Sequence, residues 1–212
     1  MSNTLWTFGD SFTNGNGCLP NESYMLKYKK SDEDIIWPEI ISKKLNFELK
    51  NIGMGMFSND KIIDSIIENY EYINKNDIVI IGKTFYHRFD IPNFENNKLI
   101  TISPNQKNLL SQNYTKSEQN YSKSEIESIS YFCSIMDSNL FKKRQDSRFD
   151  FLKKLLIEKK VKKCIIWDVT TQWDLYQTIA TKTNNEIFDH HWSYKGHLDF
   201  SKYILNIVNK LI

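Results

Sequence analysis

A serine that could act as a nucleophile stands near the start of the chain, and the groups it would need stand near the end. Ser11 lies in Leu5-Trp6-Thr7-Phe8-Gly9-Asp10-Ser11-Phe12-Thr13-Asn14-Gly15, a short apolar run that ends in Gly-Asp-Ser and a glycine turn. A serine hydroxyl is a poor nucleophile until a base removes its proton, and histidine is the side chain best matched to that task near neutral pH. The imidazole in turn needs a carboxylate on its other nitrogen, to hold the tautomer and to stabilise the imidazolium. The segment Asp189-His190-His191-Trp192-Ser193 supplies both groups. In an extended segment neighbouring side chains point to opposite sides, so His191 shares a side with Asp189 while His190 faces away. The expected triad is therefore Ser11, His191 and Asp189, and the chemistry is acyl transfer through an ester on Ser11. His197, after Gly196 at the mouth of the last helix, reads as structural.

Such a triad needs elements to hold it, and apolar runs of strand length do alternate with segments of helical period, the pattern of a parallel sheet with crossover helices. Leu5 to Phe8, Phe47 to Ile52, Asp77 to Gly82 and Lys163 to Asp168 read as strands. The third is continuous in apolar residues, as a parallel strand covered on both faces should be. Trp37-Pro38 opens a helix, because the missing N–H of proline costs nothing in the first turn. Ser58 or Asn59 caps the next helix, whose Ile62, Ile63, Ile66, Ile67 and Tyr70 share one face. Phe200, Tyr203, Ile204, Ile207, Val208 and Leu211 mark the inner face of a C-terminal helix. A first strand ending at Phe8 puts Ser11 at the C-terminal edge of the sheet, where open α/β sheets bind their ligands.

Between the third and fourth strands lie about 80 residues, far more than the dozen or so a crossover requires. Asn93 to Lys123 is polar and reads as loop, and Ser124 to Leu156 turns helical with a break expected near Gln145-Asp146-Ser147. This insertion, at about 90–160, reads either as a lid or binding surface or as a plain surface excursion. At 212 residues the whole chain fits a single domain. Its formal charge is +2, with 28 basic and 26 acidic residues interspersed, which leaves no global field to attract nucleic acid or anionic membrane. Cys18, Cys133 and Cys164 are widely spaced without any CxxC, so free thiols are expected rather than a disulfide framework or a structural zinc. No signal-peptide pattern and no long apolar run is visible, so the expectation is a cytoplasmic protein without a membrane partner. No cofactor and no metal is expected, and the oligomeric state is left open.

The two ends together resemble the SGNH (GDSL-type) hydrolase family, whose first block is Gly-Asp-Ser and whose last carries an Asp and a His a few residues apart. The resemblance implies a flavodoxin-like three-layer α/β/α sandwich with about five mostly parallel strands. It also implies oxyanion donors from the backbone N–H of the nucleophile, from a Gly after the second strand and from an Asn after the third. Asn51-Ile52-Gly53-Met54-Gly55-Met56-Phe57-Ser58-Asn59 matches the second block in its Asn, its glycines and its Ser-Asn helix start, which assigns that donor to Gly55. The third block departs from the family. Gly82-Lys83-Thr84-Phe85-Tyr86-His87-Arg88 stands where Gly-x-Asn-Asp is expected, so Thr84 replaces the Asn. A Thr hydroxyl donates one hydrogen bond but reaches less far than an amide, which leaves Thr84, Asn59 or a water to complete the hole. Asn59 and Arg88 are candidate substrate contacts, with a structural ion pair as the alternative for Arg88.

The last block usually reads Asp-x-x-His, which would put the Asp at Phe188. Asp189-His190-His191-Trp192 instead looks like the Asp-x-His-Trp variant of SGNH-like enzymes that act on polysaccharide acyl groups. That tilts the implied substrate toward O-acetylated carbohydrate, with lipase or thioesterase activity still open. The altered third block suggests an alternative, a binding module that kept the fold and lost the chemistry. A dinucleotide reading of Gly53-x-Gly55 lacks the full GxGxxG, and no P-loop is present. A metal hydrolase built on Asp189, His190, His191 and His197 lacks a second ligand cluster.

Overall fold

The computed structural model describes residues 3–15, 36–93, 98–102, 131, 138–176 and 191–210. In chain order the elements are β1 (Thr4–Phe8), α1 (Ser11–Asn14), α2 (Trp37–Leu45), β2 (Glu48–Asn51), α3 (Asn59–Asn69), β3 (Ile78–Lys83), β4 (Phe89–Asn93), β5 (Lys98–Ile102), α4 (Ser138–Glu158), β6 (Lys163–Asp168), α5 (Val169–Gln172) and α6 (Tyr194–Asn209). Four strands form one sheet in the order β2-β1-β3-β6, and every neighbouring pair is parallel. Leu5 lies opposite both Leu49 and Ile78, and Ile78 lies opposite Lys163. This order, with the chain starting in the middle and growing outward on both sides, is the doubly wound, flavodoxin-like arrangement.

Strand side chains alternate between faces, and here they divide the core in two. Leu5, Ile78, Ile80, Ile165 and Trp167 pack with Trp37 and Ile41 of α2 and with Phe200, Ile204 and Val208 of α6. Trp6, Phe8, Val79 and Ile81 pack on the other face with Ile62, Ile63 and Ile66 of α3 and Phe149, Leu152 and Leu156 of α4. The molecule is thus an α/β/α sandwich, with α2 and α6 in one outer layer and α3 and α4 in the other.

At the edge where the strands begin, buried Asp77 ties the sheet together. Its carboxylate accepts from Thr4 N at 2.9 Å, Trp6 Nε1 at 3.0 Å and Asn74 N at 2.9 Å. Cys164 on β6 is a free thiol that burial pushes up to about 11, so it is protonated and a poor nucleophile at neutral pH.

Three features differ from the sequence-based expectations. The described residues give a four-stranded sheet where about five strands were expected; two further strands, β4 and β5, pair antiparallel with each other in a separate hairpin. Polar side chains hold that hairpin in place: Ser58 and Thr101 donate to Asp90, and Lys61 Nζ donates to Thr101 Oγ1 at 2.9 Å. Polarity that reads as loop therefore serves as the docking surface of the hairpin. Lastly, α4 runs unbroken through Gln145-Asp146-Ser147, where Gln145 accepts from Asn59 at the start of α3 and Asp146 accepts from Lys83 at the end of β3.

Candidate active site

Gly9 ends β1 and Asp10 caps α1, its carboxylate accepting from Phe12 N at 3.1 Å. That cap turns the chain so that Ser11 becomes the first residue of a short helix at the C-terminal edge of the sheet. Gly15 ends the helix in the left-handed region at φ 81, which glycine adopts without steric cost. Ser11 is 4% exposed.

The second block packs directly on this turn. Asn51 Oδ1 accepts from Thr7 Oγ1 at 2.9 Å and from Gly53 N at 3.1 Å, while its Nδ2 donates to Thr13 O at 3.2 Å. Met54 N donates to Gly9 O at 3.1 Å. The approach is close enough that a Cβ on Gly53 would stand 2.8 Å from Asn14 N, so only glycine fits there. Gly55 lies in the turn that follows. Among the described residues no hydrogen bond engages the backbone N–H of Ser11 or of Gly55, the two groups expected to face an oxyanion.

The far end of the chain reaches the same place through Phe12. The His191 ring lies 5.5 Å from the Phe12 ring, and Trp192 meets Phe12 edge-on at 5.0 Å. Trp192 is fully buried, packed against Trp167 at 5.6 Å, Phe200 at 4.7 Å and Tyr176 at 5.2 Å. Ser193 then caps α6, its hydroxyl accepting from Gly196 N at 3.3 Å. His191 is therefore held from its C-terminal side, first by an aromatic anchor and then by the start of a helix. Asp189, the expected orienting carboxylate, and its neighbour His190 lie outside the described residues. His197 is fully buried beside Trp192, and burial together with nearby His191 lowers its pKa to about 3. Neither ring nitrogen of His197 has a hydrogen-bond partner among the described residues, so it is a neutral core group.

The third block departs from the expected roles. Thr84 Oγ1 donates its one proton to Asp10 Oδ2 at 2.6 Å and accepts from Arg88 Nη1 at 2.9 Å. That proton is directed at a carboxylate, whereas the sequence suggested it for an oxyanion. Asn59, expected near substrate, is buried and bonded instead: Nδ2 donates to Thr84 O at 3.0 Å and to Gln145 Oε1 at 2.8 Å, and Oδ1 accepts from Thr84 N at 2.8 Å. Arg88 makes the ion pair that was its alternative role, with Nη1 3.1 Å from Asp10 Oδ2 and the guanidinium 5.1 Å above the Phe85 ring. The residues sequence reasoning missed are Asp10, as the hub of this network, and Gln145. A Gln-Asp pair within a helical period was the available signal for Gln145.

Beside this network, Lys83 Nζ lies 2.7 Å from Asp146 Oδ1 and 3.3 Å from Asp168 Oδ2. Desolvation would lower the pKa of the ammonium, but the Asp146 hydrogen bond and the Asp168 charge together outweigh it and hold the group above its ordinary value. Among the described residues no helix is long and apolar enough to cross a membrane.

No protein-family model matches this sequence, and no curated protein matches it. Among solved structures, the chain is similar to a protein assigned to the G-D-S-L lipolytic family from Desulfitobacterium hafniense DCB-2. That likeness has 11% identity and a TM-score of 0.38, over 97% of this chain and 99% of the other. It is also similar to a carbohydrate esterase whose active site is described as having divergent catalytic and non-catalytic binding functions. There the identity is 11% and the TM-score 0.35, over 98% of this chain and 68% of the other.

Proposed function

We propose that this protein is a serine ester hydrolase in which Ser11 attacks the acyl carbon, His191 takes its proton and Asp189 orients the imidazole. The supporting observation is the meeting of the two chain ends on Phe12: Ser11 precedes that ring in sequence, and the His191 ring lies 5.5 Å from it. The backbone N–H groups of Ser11 and Gly55 are the oxyanion donors in this reading, the term that usually contributes most to acyl transfer. Thr84, Asn59 and Arg88 shape the site from behind and do not contact substrate. The Asp-x-His-Trp sequence favours an acetyl group on a carbohydrate as the ester.

The test is labelling with a fluorophosphonate probe together with hydrolysis of an acetyl ester. Ser11→Ala should abolish labelling and lower turnover by about 1,000-fold or more, and His191→Ala should cost about as much because triad members act as a unit. His190→Ala should be mild. Retention of more than about a tenth of wild-type turnover by Ser11→Ala would refute the nucleophile. A second reading, an inactive binding module, draws on the committed Thr84 proton, and wild-type protein that takes no label and cleaves no ester would favour it.

A further inference from the structure

We propose that Gln145, midway along α4, is a positioning residue for the Ser11 turn, acting through Asn59, Thr84 and Asp10; the proposal rests on the reading of Ser11 as the nucleophile. Gln145 is 3% exposed and comes from the insertion, far in sequence from every other group in the network. Its Oε1 accepts from Asn59 Nδ2, which fixes which way the Asn59 amide faces. Asn59, so oriented, clamps the Thr84 backbone by two reciprocal hydrogen bonds. The Thr84 hydroxyl then holds Asp10 Oδ2, while Asp10 Oδ1 caps Phe12 N. Each link joins buried groups, so a change at one end is not absorbed by solvent.

Two further observations point the same way. Asp146, the next residue of α4, bonds Lys83, the residue before Thr84, so the helix reaches the end of β3 directly through Asp146 and by way of Asn59 through Gln145. Gln145 Nε2 is buried and has no partner among the described residues, and the residue lines a small cavity with Lys83, Tyr86, Asp168 and Thr170. An unsatisfied buried amide is costly, and an apolar side chain of the same size would avoid that cost. What Gln145 offers in exchange is its oxygen on Asn59.

Gln145→Leu removes the acceptor and keeps the bulk, whereas Gln145→Glu keeps an acceptor oxygen. Full-length variants are compared by fluorophosphonate labelling rate, by kcat and KM on p-nitrophenyl acetate, and by hydrogen exchange of residues 9–15. Gln145→Leu should slow labelling and kcat together by about 10-fold, with KM within about twofold, since small misplacements of reacting groups act on the transition state. Exchange in residues 9–15 should quicken while β3 is unchanged. Gln145→Glu should restore both readouts toward wild type. A folded Gln145→Leu with labelling within about twofold of wild type and unaltered exchange overturns the proposal. If it does not fold, Gln145→Met replaces it; if neither folds, Gln145 is an ordinary core residue and the proposal fails. Should wild-type protein take no label, the hydrolase reading fails, and the exchange comparison alone decides whether Gln145 holds the turn.

Discussion

Arg88→Met removes a guanidinium from a carboxylate that solvent does not reach. Asp10 is 2% exposed and the Arg88 side chain 15%, so water screens their pairing little. Breaking a buried pair by deleting one partner costs about 3–5 kcal/mol, because the remaining charge is left uncompensated. Asp10 still accepts from Phe12 N and Thr84 Oγ1 after the change, which reduces the loss to about 2–4 kcal/mol. For a chain of this size that is a fall in Tm of roughly 5–15 °C. Urea or thermal unfolding measures it, and Asp10→Asn supplies the second edge of a double-mutant cycle. With the charge removed from Asp10, the same Arg88→Met change should cost at least about 1 kcal/mol less. An Arg88→Met variant within about 0.5 kcal/mol of wild type, or strictly additive single changes, would refute the buried-pair argument.

Two other outcomes follow from buried groups. His197 stays neutral in the folded protein down to about pH 3, whereas the unfolded chain protonates it near the ordinary 6.5. The unfolded state therefore binds more protons between those values, so this contribution is complete above pH 6.5 and is lost as pH falls, by up to about 1.4 kcal/mol per pH unit. Chemical unfolding from pH 7 to pH 5 should show a shallower slope for His197→Phe than for wild type, and equal slopes would remove His197 as the cause. Asp77→Ala leaves the buried Trp6 Nε1–H and Thr4 N–H without their acceptor and should destabilise by about 2–4 kcal/mol, read as a lower urea midpoint at unchanged slope. A loss under about 1 kcal/mol would mean that water satisfies both donors.

The sheet was legible in the sequence because its strands are written in residues that admit few other readings. Ile78 to Ile81 is buried on both faces and is apolar throughout, and Lys163–Asp168 has the bounds its composition suggested. Proline near the start of α2 and Ser58 before α3 marked those helices by local chemistry alone. The hairpin was illegible for the opposite reason. Asp90 and Thr101 look like loop residues until Ser58 and Lys61 are brought against them by the fold. Asn59 depends on partners 25 and 86 positions away and the Thr84 proton on an acceptor 74 positions back, and no local pattern encodes such pairings. Gln145-Asp146-Ser147 looks like a helix break in sequence, but its first two residues find buried and half-buried partners, Asn59 and Lys83, from distant parts of the chain.

Three of the five tryptophans meet in the cluster that anchors the His191 segment. Trp37 stands edge-on to Trp167 at 6.3 Å, and Trp167 stacks on Trp192 at 5.6 Å. Indoles this close couple on excitation, so this layer should give a near-ultraviolet circular dichroism signal of its own. Trp6 lies on the opposite face of the sheet with its N–H on Asp77, outside that coupled group. Among the described side chains the two faces of the sheet thus carry separate indoles, and loosening of the segment that carries His191 should register as loss of indole coupling while the signal from Trp6 persists.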